Sequence, residues 1–103
     1  MKTLLITLSL MILMIVGISA QRAQENIPKD GFVPNKETAV KVAEAIWLPI
    51  YGNEIYNYRP FSVTLKRGNI WVVEGTLKSG KGGVPYIELQ KNDCKVLVVT
   101  HGK

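Results

Sequence analysis

The hydrophobic period of this chain changes once, and that change limits the folds open to it. Over residues 36–51 apolar side chains recur every three or four positions, at Ala39, Val42, Ala43, Ile46 and Ile50, with Val40 and Trp47 widening the stripe. Such spacing gives an α-helix one apolar face. Lys36, Lys41 and Glu44 fill polar positions. Asn35 is a good N-cap, and Glu37 lies in the first turn, where the helix dipole favours negative charge. Pro49 cannot donate to the carbonyl of Ala45, and Gly52 offers a stop. The pattern predicts a helix over Lys36 to Tyr51 that bends or ends near Pro49.

After a polar connection carrying Tyr56 and Tyr58, the period becomes two. Phe61, Val63 and Leu65 alternate with Ser62, Thr64 and Lys66, as in a half-buried strand. Arg67-Gly68-Asn69 is a tight turn, and Ile70 to Leu77 reads as a second strand rich in β-formers. Ser79 to Gly83 is a glycine-rich loop, Pro85 to Gln90 a third strand, Lys91 to Cys94 a turn and Lys95 to Thr100 a fourth strand. One helix followed by four closely connected strands predicts an α+β fold: an N-terminal helix laid across one face of a four-stranded antiparallel sheet. The domain is expected over residues 34–103, after an irregular lead-in at residues 21–33 that contains Pro28 and Gly31.

This arrangement sorts the side chains. Phe61, Val63, Leu65, Trp71, Val73, Leu77, Ile87 and Leu89 are expected to meet the helix, with Tyr51, Tyr56 and Tyr58 closing the end of the core. Ile70, Val72, Glu74, Tyr86 and Glu88 then point outward, and the fourth strand, Val96-Leu97-Val98-Val99, is apolar on both sides. One helix cannot cover both faces of a sheet. The outward face is therefore expected to meet a partner, or a second copy of the chain in a homodimer.

The N-terminal residues give the compartment. Met1 and Lys2 supply positive charge, Thr3 to Ile18 is nearly continuous hydrocarbon, and Ser19-Ala20 places small residues before Gln21. That order reads as a cleavable secretory signal peptide over residues 1–20, the alternative being a membrane anchor that stays attached. Its apolar run falls short of the roughly 20 residues that span a bilayer, so no stable membrane insertion is expected once it is removed. Of 103 residues, 83 remain. Exported domains of this size often rely on disulfides, but Cys94 is the sole cysteine. It falls in a polar turn and reads as an exposed, passive thiol.

The net charge is +5, yet Lys66-Arg67 is the only adjacent basic pair. Nucleic-acid binders concentrate such residues on one element, so no nucleic-acid partner is expected. The chain has no G-x-S-x-G elbow, H-E-x-x-H motif or paired cysteines, and His101 is its sole histidine. No catalytic residue, metal ligand or cofactor is assigned. The Ser79–Gly83 loop lacks both the spacing and the following helix of a phosphate cradle. Glu74 and Glu88 share the outward face and could form a carboxylate pair. With nothing nearby to orient a substrate, ordinary solvated glutamates are the simpler reading.

Several segments occur together in a recognisable order. They are Glu37-Thr38-Ala39, Ala43-Glu44-Ala45-Ile46-Trp47, Pro49-Ile50-Tyr51-Gly52, Arg59-Pro60-Phe61, Trp71 to Leu77, Gly82 to Glu88, and the ending Lys95-Val96-Leu97 with Thr100-His101-Gly102-Lys103. Through them residues 32–103 resemble the small nuclear-transport-factor-2-fold immunity proteins of bacterial polymorphic toxin systems, including members found beside Rhs-type toxin genes. The resemblance implies a cystatin-like half-cone with a curved sheet, no enzymatic activity, and a cognate toxin neutralised by occlusion. With the leader, it implies a periplasmic or envelope location and a toxin acting outside the cytoplasm. The partner-binding residues expected on this basis are Val72, Glu74, Tyr86 and Glu88, with Arg59 steering an acidic partner alongside Lys66 and Arg67. The alternative is a small exported ligand-binding or enzymatic domain of the same fold, using Glu74, Glu88 or His101 around a pocket between helix and sheet. An exported protease inhibitor ranks last, since no inhibitory loop motif is present.

Overall fold

A computed structural model describes residues 26–78 and 80–102. The expected leader and the start of the lead-in lie outside the described residues. Helix α1 spans Lys36–Tyr51, as its periodicity predicts, and a 3-10 helix follows at Gly52–Tyr58. Four strands complete the domain: β1 (Ser62–Lys66), β2 (Ile70–Glu74), β3 (Pro85–Gln90) and β4 (Val96–His101). They pair antiparallel in the order β1-β2-β3-β4.

The helix ends follow from local chemistry. The Asn35 side chain accepts from the Thr38 amide at 2.9 Å and from the Thr38 hydroxyl at 2.7 Å. Gly52 stands at φ 68°, and its amide donates to the Leu48 carbonyl. Only Gly takes that left-handed conformation without strain. Pro49 is accommodated inside the helix, and the chain tightens into the 3-10 segment just beyond it. That segment replaces the open polar connection expected from sequence, because Ile55 within it is fully buried.

The apolar stripe of α1 packs chiefly against β1, β2 and β3. Ala39, Ala43 and Trp47 from the helix meet Trp71, Val73, Ile87 and Leu89 from the sheet, all buried. Trp47 and Phe61 pack as a tilted pair with ring centroids 5.3 Å apart and planes at 55°. Sequence parity is right for the middle of the sheet and fails at its margins. Leu65 pairs with Trp71 on the helix side, yet it is 42% exposed because β1 is an edge strand. Leu77 is equally exposed, since β2 stops at Glu74. There the chain turns away: Thr76 donates its amide to Tyr58 and its hydroxyl to Pro60. Ile50, in the last helical turn, is exposed as well.

The lead-in is more than a tether. Val33 is completely buried, and its carbonyl accepts from the Trp71 indole at 2.7 Å. Phe32 and Val33 donate their amides to the Asn92 and Lys91 carbonyls, which ties the lead-in to the β3–β4 turn. Gly31 makes this approach feasible: at φ 86°, a Cβ there would lie 2.4 Å from the Lys91 oxygen. Cys94 is half-buried against the core rather than exposed, with burial and the Asp93 charge raising its thiol pKa.

The two tryptophans provide a test. Trp71→Phe leaves the buried Val33 carbonyl without its donor, which costs about 1–3 kcal/mol beyond the lost ring volume. Trp47→Phe loses ring volume only, because the Trp47 indole nitrogen has no partner among the described residues. In urea denaturation Trp71→Phe should therefore be the more destabilising by about 1 kcal/mol or more. Equal losses would show that the indole–carbonyl bond contributes nothing.

Candidate functional site

Residues registered across an antiparallel sheet share a face. The pairing gives three outward rows: Ser62–Glu74–Tyr86–Thr100, Thr64–Val72–Glu88–Val98, and Lys66–Ile70–Gln90. Four of the five residues expected to bind a partner, Val72, Glu74, Tyr86 and Glu88, stand together in the first two rows. Val72, Glu74 and Tyr86 are half-buried and Glu88 is only 9% exposed. The structure does not bring Arg59 among them. Its guanidinium lies 4.1 Å from the ring centroid of Tyr56, which packs on the core side.

Glu88 is the polar centre of this face. The Tyr86 hydroxyl donates to one carboxylate oxygen at 2.7 Å, and the Lys66 ammonium reaches the other at 3.1 Å. An i, i+2 pair on a strand shares a face, so the first bond is local. The second crosses from β1 over β2 and is not visible in sequence spacing. Glu88 is thus nearly buried and doubly partnered, not a solvated glutamate. Glu74 stands opposite Tyr86 rather than beside Glu88, and the described residues show no bond between the two carboxylates. The Lys66 side chain is 42% exposed. An ion pair this open to water contributes little on its own.

The bonds set the protonation states. The Tyr86 hydroxyl, then Lys66, hold the Glu88 carboxyl below its ordinary value. A depressed carboxylate stabilises the fold above its unfolded pKa, and the contribution disappears as pH falls through the folded one. Tyr86 is pushed up to about 12 by its bond to Glu88, by burial and by the Glu88 and Glu74 charges. Its contribution has the opposite sign: complete below the ordinary value of 10, it is lost as pH rises through about 12.

Beyond this polar centre the face is apolar and continues onto β4. Val96, Leu97, Val98 and Val99 are 37–41% exposed. The register shifts between Glu88 and Leu89, where β4 carries an extra residue, and the unbroken apolar run Val96 to Val99 presents apolar side chains on both faces. Among the described residues no group of three or more His, Cys, Asp or Glu side chains converges, and no helix is long and apolar enough to cross a membrane. His101, at the end of β4, is exposed beside Tyr58.

A family model described as an NTF2 fold immunity protein matches residues 38–103, which include nearly all of α1 and the whole sheet. The chain is also similar to the uncharacterized protein YhhH of Escherichia coli (strain K12), with 39% identity over 74 residues. That alignment covers 69% of this chain and 58% of the relative, so the chain spans less than two thirds of that protein's length. No solved structure matches.

Following the tyrosine ring resonances to high pH tests the polar centre. Tyr86 should titrate near 12, and in Glu88→Gln it should move back toward 10. Titration still near 12 in the variant would mean that Glu88 does not hold the phenol.

Proposed function

This chain belongs to the NTF2-fold immunity proteins, and from that premise we propose that it binds and neutralises a bacterial toxin by occlusion, without chemistry of its own. The observation that carries the proposal is the uncovered sheet face. Val72, Tyr86 and Val98 form a partly apolar strip around the tied Glu88 carboxylate, and the strip runs onto the exposed apolar edge β4. Apolar and aromatic groups held in place by neighbouring bonds lose little side-chain entropy on binding, and such groups supply most interface energy. The leader pattern of residues 1–20 supports a protein exported to the periplasm or envelope, and hence a toxin that acts outside the cytoplasm.

A pocket between helix and sheet would have favoured the ligand-binding or enzymatic alternative. That space is occupied by Trp47, Ile55, Val73, Ile87 and Leu89, all at 0% exposure.

The test is capture from the envelope of the native host, followed by affinity measurement on the captured toxin domain. Recovery of a protein encoded beside this one, whose toxicity the chain suppresses, is the expected result. Tyr86→Ala and Val98→Lys should each weaken binding about tenfold or more, as loss of an interface anchor does, whereas Lys41→Ala on the far side of the helix should not. Unchanged affinity in both face variants would exclude this surface, and failure to suppress any adjacent toxin would overturn the proposal.

A further inference from the structure

The two edges of this sheet are guarded unequally. An edge strand exposes a row of unpaired backbone donors and acceptors, which natural sheets blunt with charged side chains, proline or short strands. β1 is five residues long, ends in Lys66 and is followed by Arg67. β4 has six residues, and its stretch Val96 to Thr100 holds neither a charge nor a proline. Among the described residues no strand pairs with its open side, and Val96 to Val99 are 37–41% exposed. One protective device is present, the bulge opposite Glu88 and Leu89. It sits near the start of β4 and leaves Val98 to His101 in regular register.

The ladder with β3 identifies the backbone groups left open. The Gly102 amide donates to the Val84 carbonyl at 3.0 Å, and at the other end the Gln90 amide donates to the Lys95 carbonyl at 2.8 Å. Hydrogen-bonded pairs alternate along an antiparallel ladder, so Thr100 and Val98 turn their backbone groups to Tyr86 and Glu88. Those of Val99 and His101 then point to the open side. A second copy fits this edge by symmetry. With a two-fold axis at Val99, antiparallel pairing sets Val99 opposite its own counterpart and Val98 opposite Thr100. These are β-branched neighbours suited to a pleated surface, and the uncharged stretch brings no like charges together.

We propose that two copies of this chain associate edge to edge through β4, with Val99 on the two-fold axis, and form one continuous sheet. Strand addition of this kind draws its affinity from main-chain hydrogen bonds. The axis stands perpendicular to the sheet, so both helices lie over the same face and flank the strip that α1 leaves uncovered. The opposite face stays open. Pairing therefore leaves Val72 and Tyr86 accessible and does not depend on toxin binding. A six-residue edge is small beside the roughly 1,600 Å² of a standard stable interface, and the net charge of +5 opposes self-association. The dimer is accordingly expected to form in the micromolar range and to tighten as salt screens that charge.

Analytical ultracentrifugation and NMR dilution of the protein, expressed with its own leader and purified without any toxin, test the proposal. A monomer–dimer equilibrium is expected, with the Val99 and His101 amide resonances moving on dilution while those of β1 stay fixed. Val99→Pro removes only an outward-facing donor, a change that edge strands tolerate, and should weaken the dimer about tenfold or more. Val99→Lys adds the charge that edges usually carry and should act in the same direction, which keeps the test open if the proline variant does not fold. A protein that stays monomeric up to about 1 mM would overturn the proposal. So would a dimer that survives the substitutions, or one whose dilution shifts fall away from β4. Protected Val99 and His101 amides in a monomer would also overturn it, by showing that the chain covers its own edge.

Discussion

A single helix is narrower than a four-stranded sheet, and the rest of this structure adapts to that mismatch. A helix with its side chains is about 10 Å across, whereas four strands at about 4.8 Å spacing span about 14 Å between the outer axes. Placed over β1, β2 and β3, α1 buries Trp71, Val73, Ile87 and Leu89 and leaves β4 largely uncovered. The 3-10 helix and the lead-in extend the cover at opposite ends, through Ile55 and Val33. The 3-10 helix meets β4 only at its end, where Tyr58 touches His101, and the apolar residues Val96 to Val99 stay 37–41% exposed. Exposed apolar surface is therefore a geometric consequence of the element count, and it falls where a partner would find it.

On the uncovered face, the polar centre solves a different problem. A carboxylate that is 9% exposed would be costly if unpaired, and Glu88 is not: Tyr86 and Lys66 satisfy both of its oxygens. With Lys66 partly in water, these bonds add little to stability. Their larger effect is order, because they hold the Tyr86 ring and the Lys66 stem in one arrangement across three strands. A surface organised before binding gives up less entropy when a partner arrives.

Much of this fold is legible in the sequence where one periodicity dominates. Asn35, the three-to-four spacing through Trp47 and the stop at Gly52 fix α1 at Lys36–Tyr51, and alternation around short turns fixes the number and order of the strands. Parity also places Val72, Glu74, Tyr86 and Glu88 on one face. Leu65 and Leu77 go astray because parity says which face a residue takes, not whether anything covers it. Val33 and Ile55 escape notice for the converse reason. Each is an isolated apolar residue in a segment without a period, buried only because distant parts of the chain close over it.

The sequence by itself determined the local geometry: which segments coil, which extend, where they cap and turn, and which side chains share a face. These depend on neighbours within a few residues, whose steric and hydrogen-bonding preferences act without the rest of the molecule. Tertiary structure alone decided that Lys66 reaches Glu88 across β2, that the Trp71 indole finds Val33, and that the His101 ring meets the Tyr58 hydroxyl. Those pairings join residues far apart in the chain, and only the packing of one narrow helix on a wider sheet brings them within bonding distance.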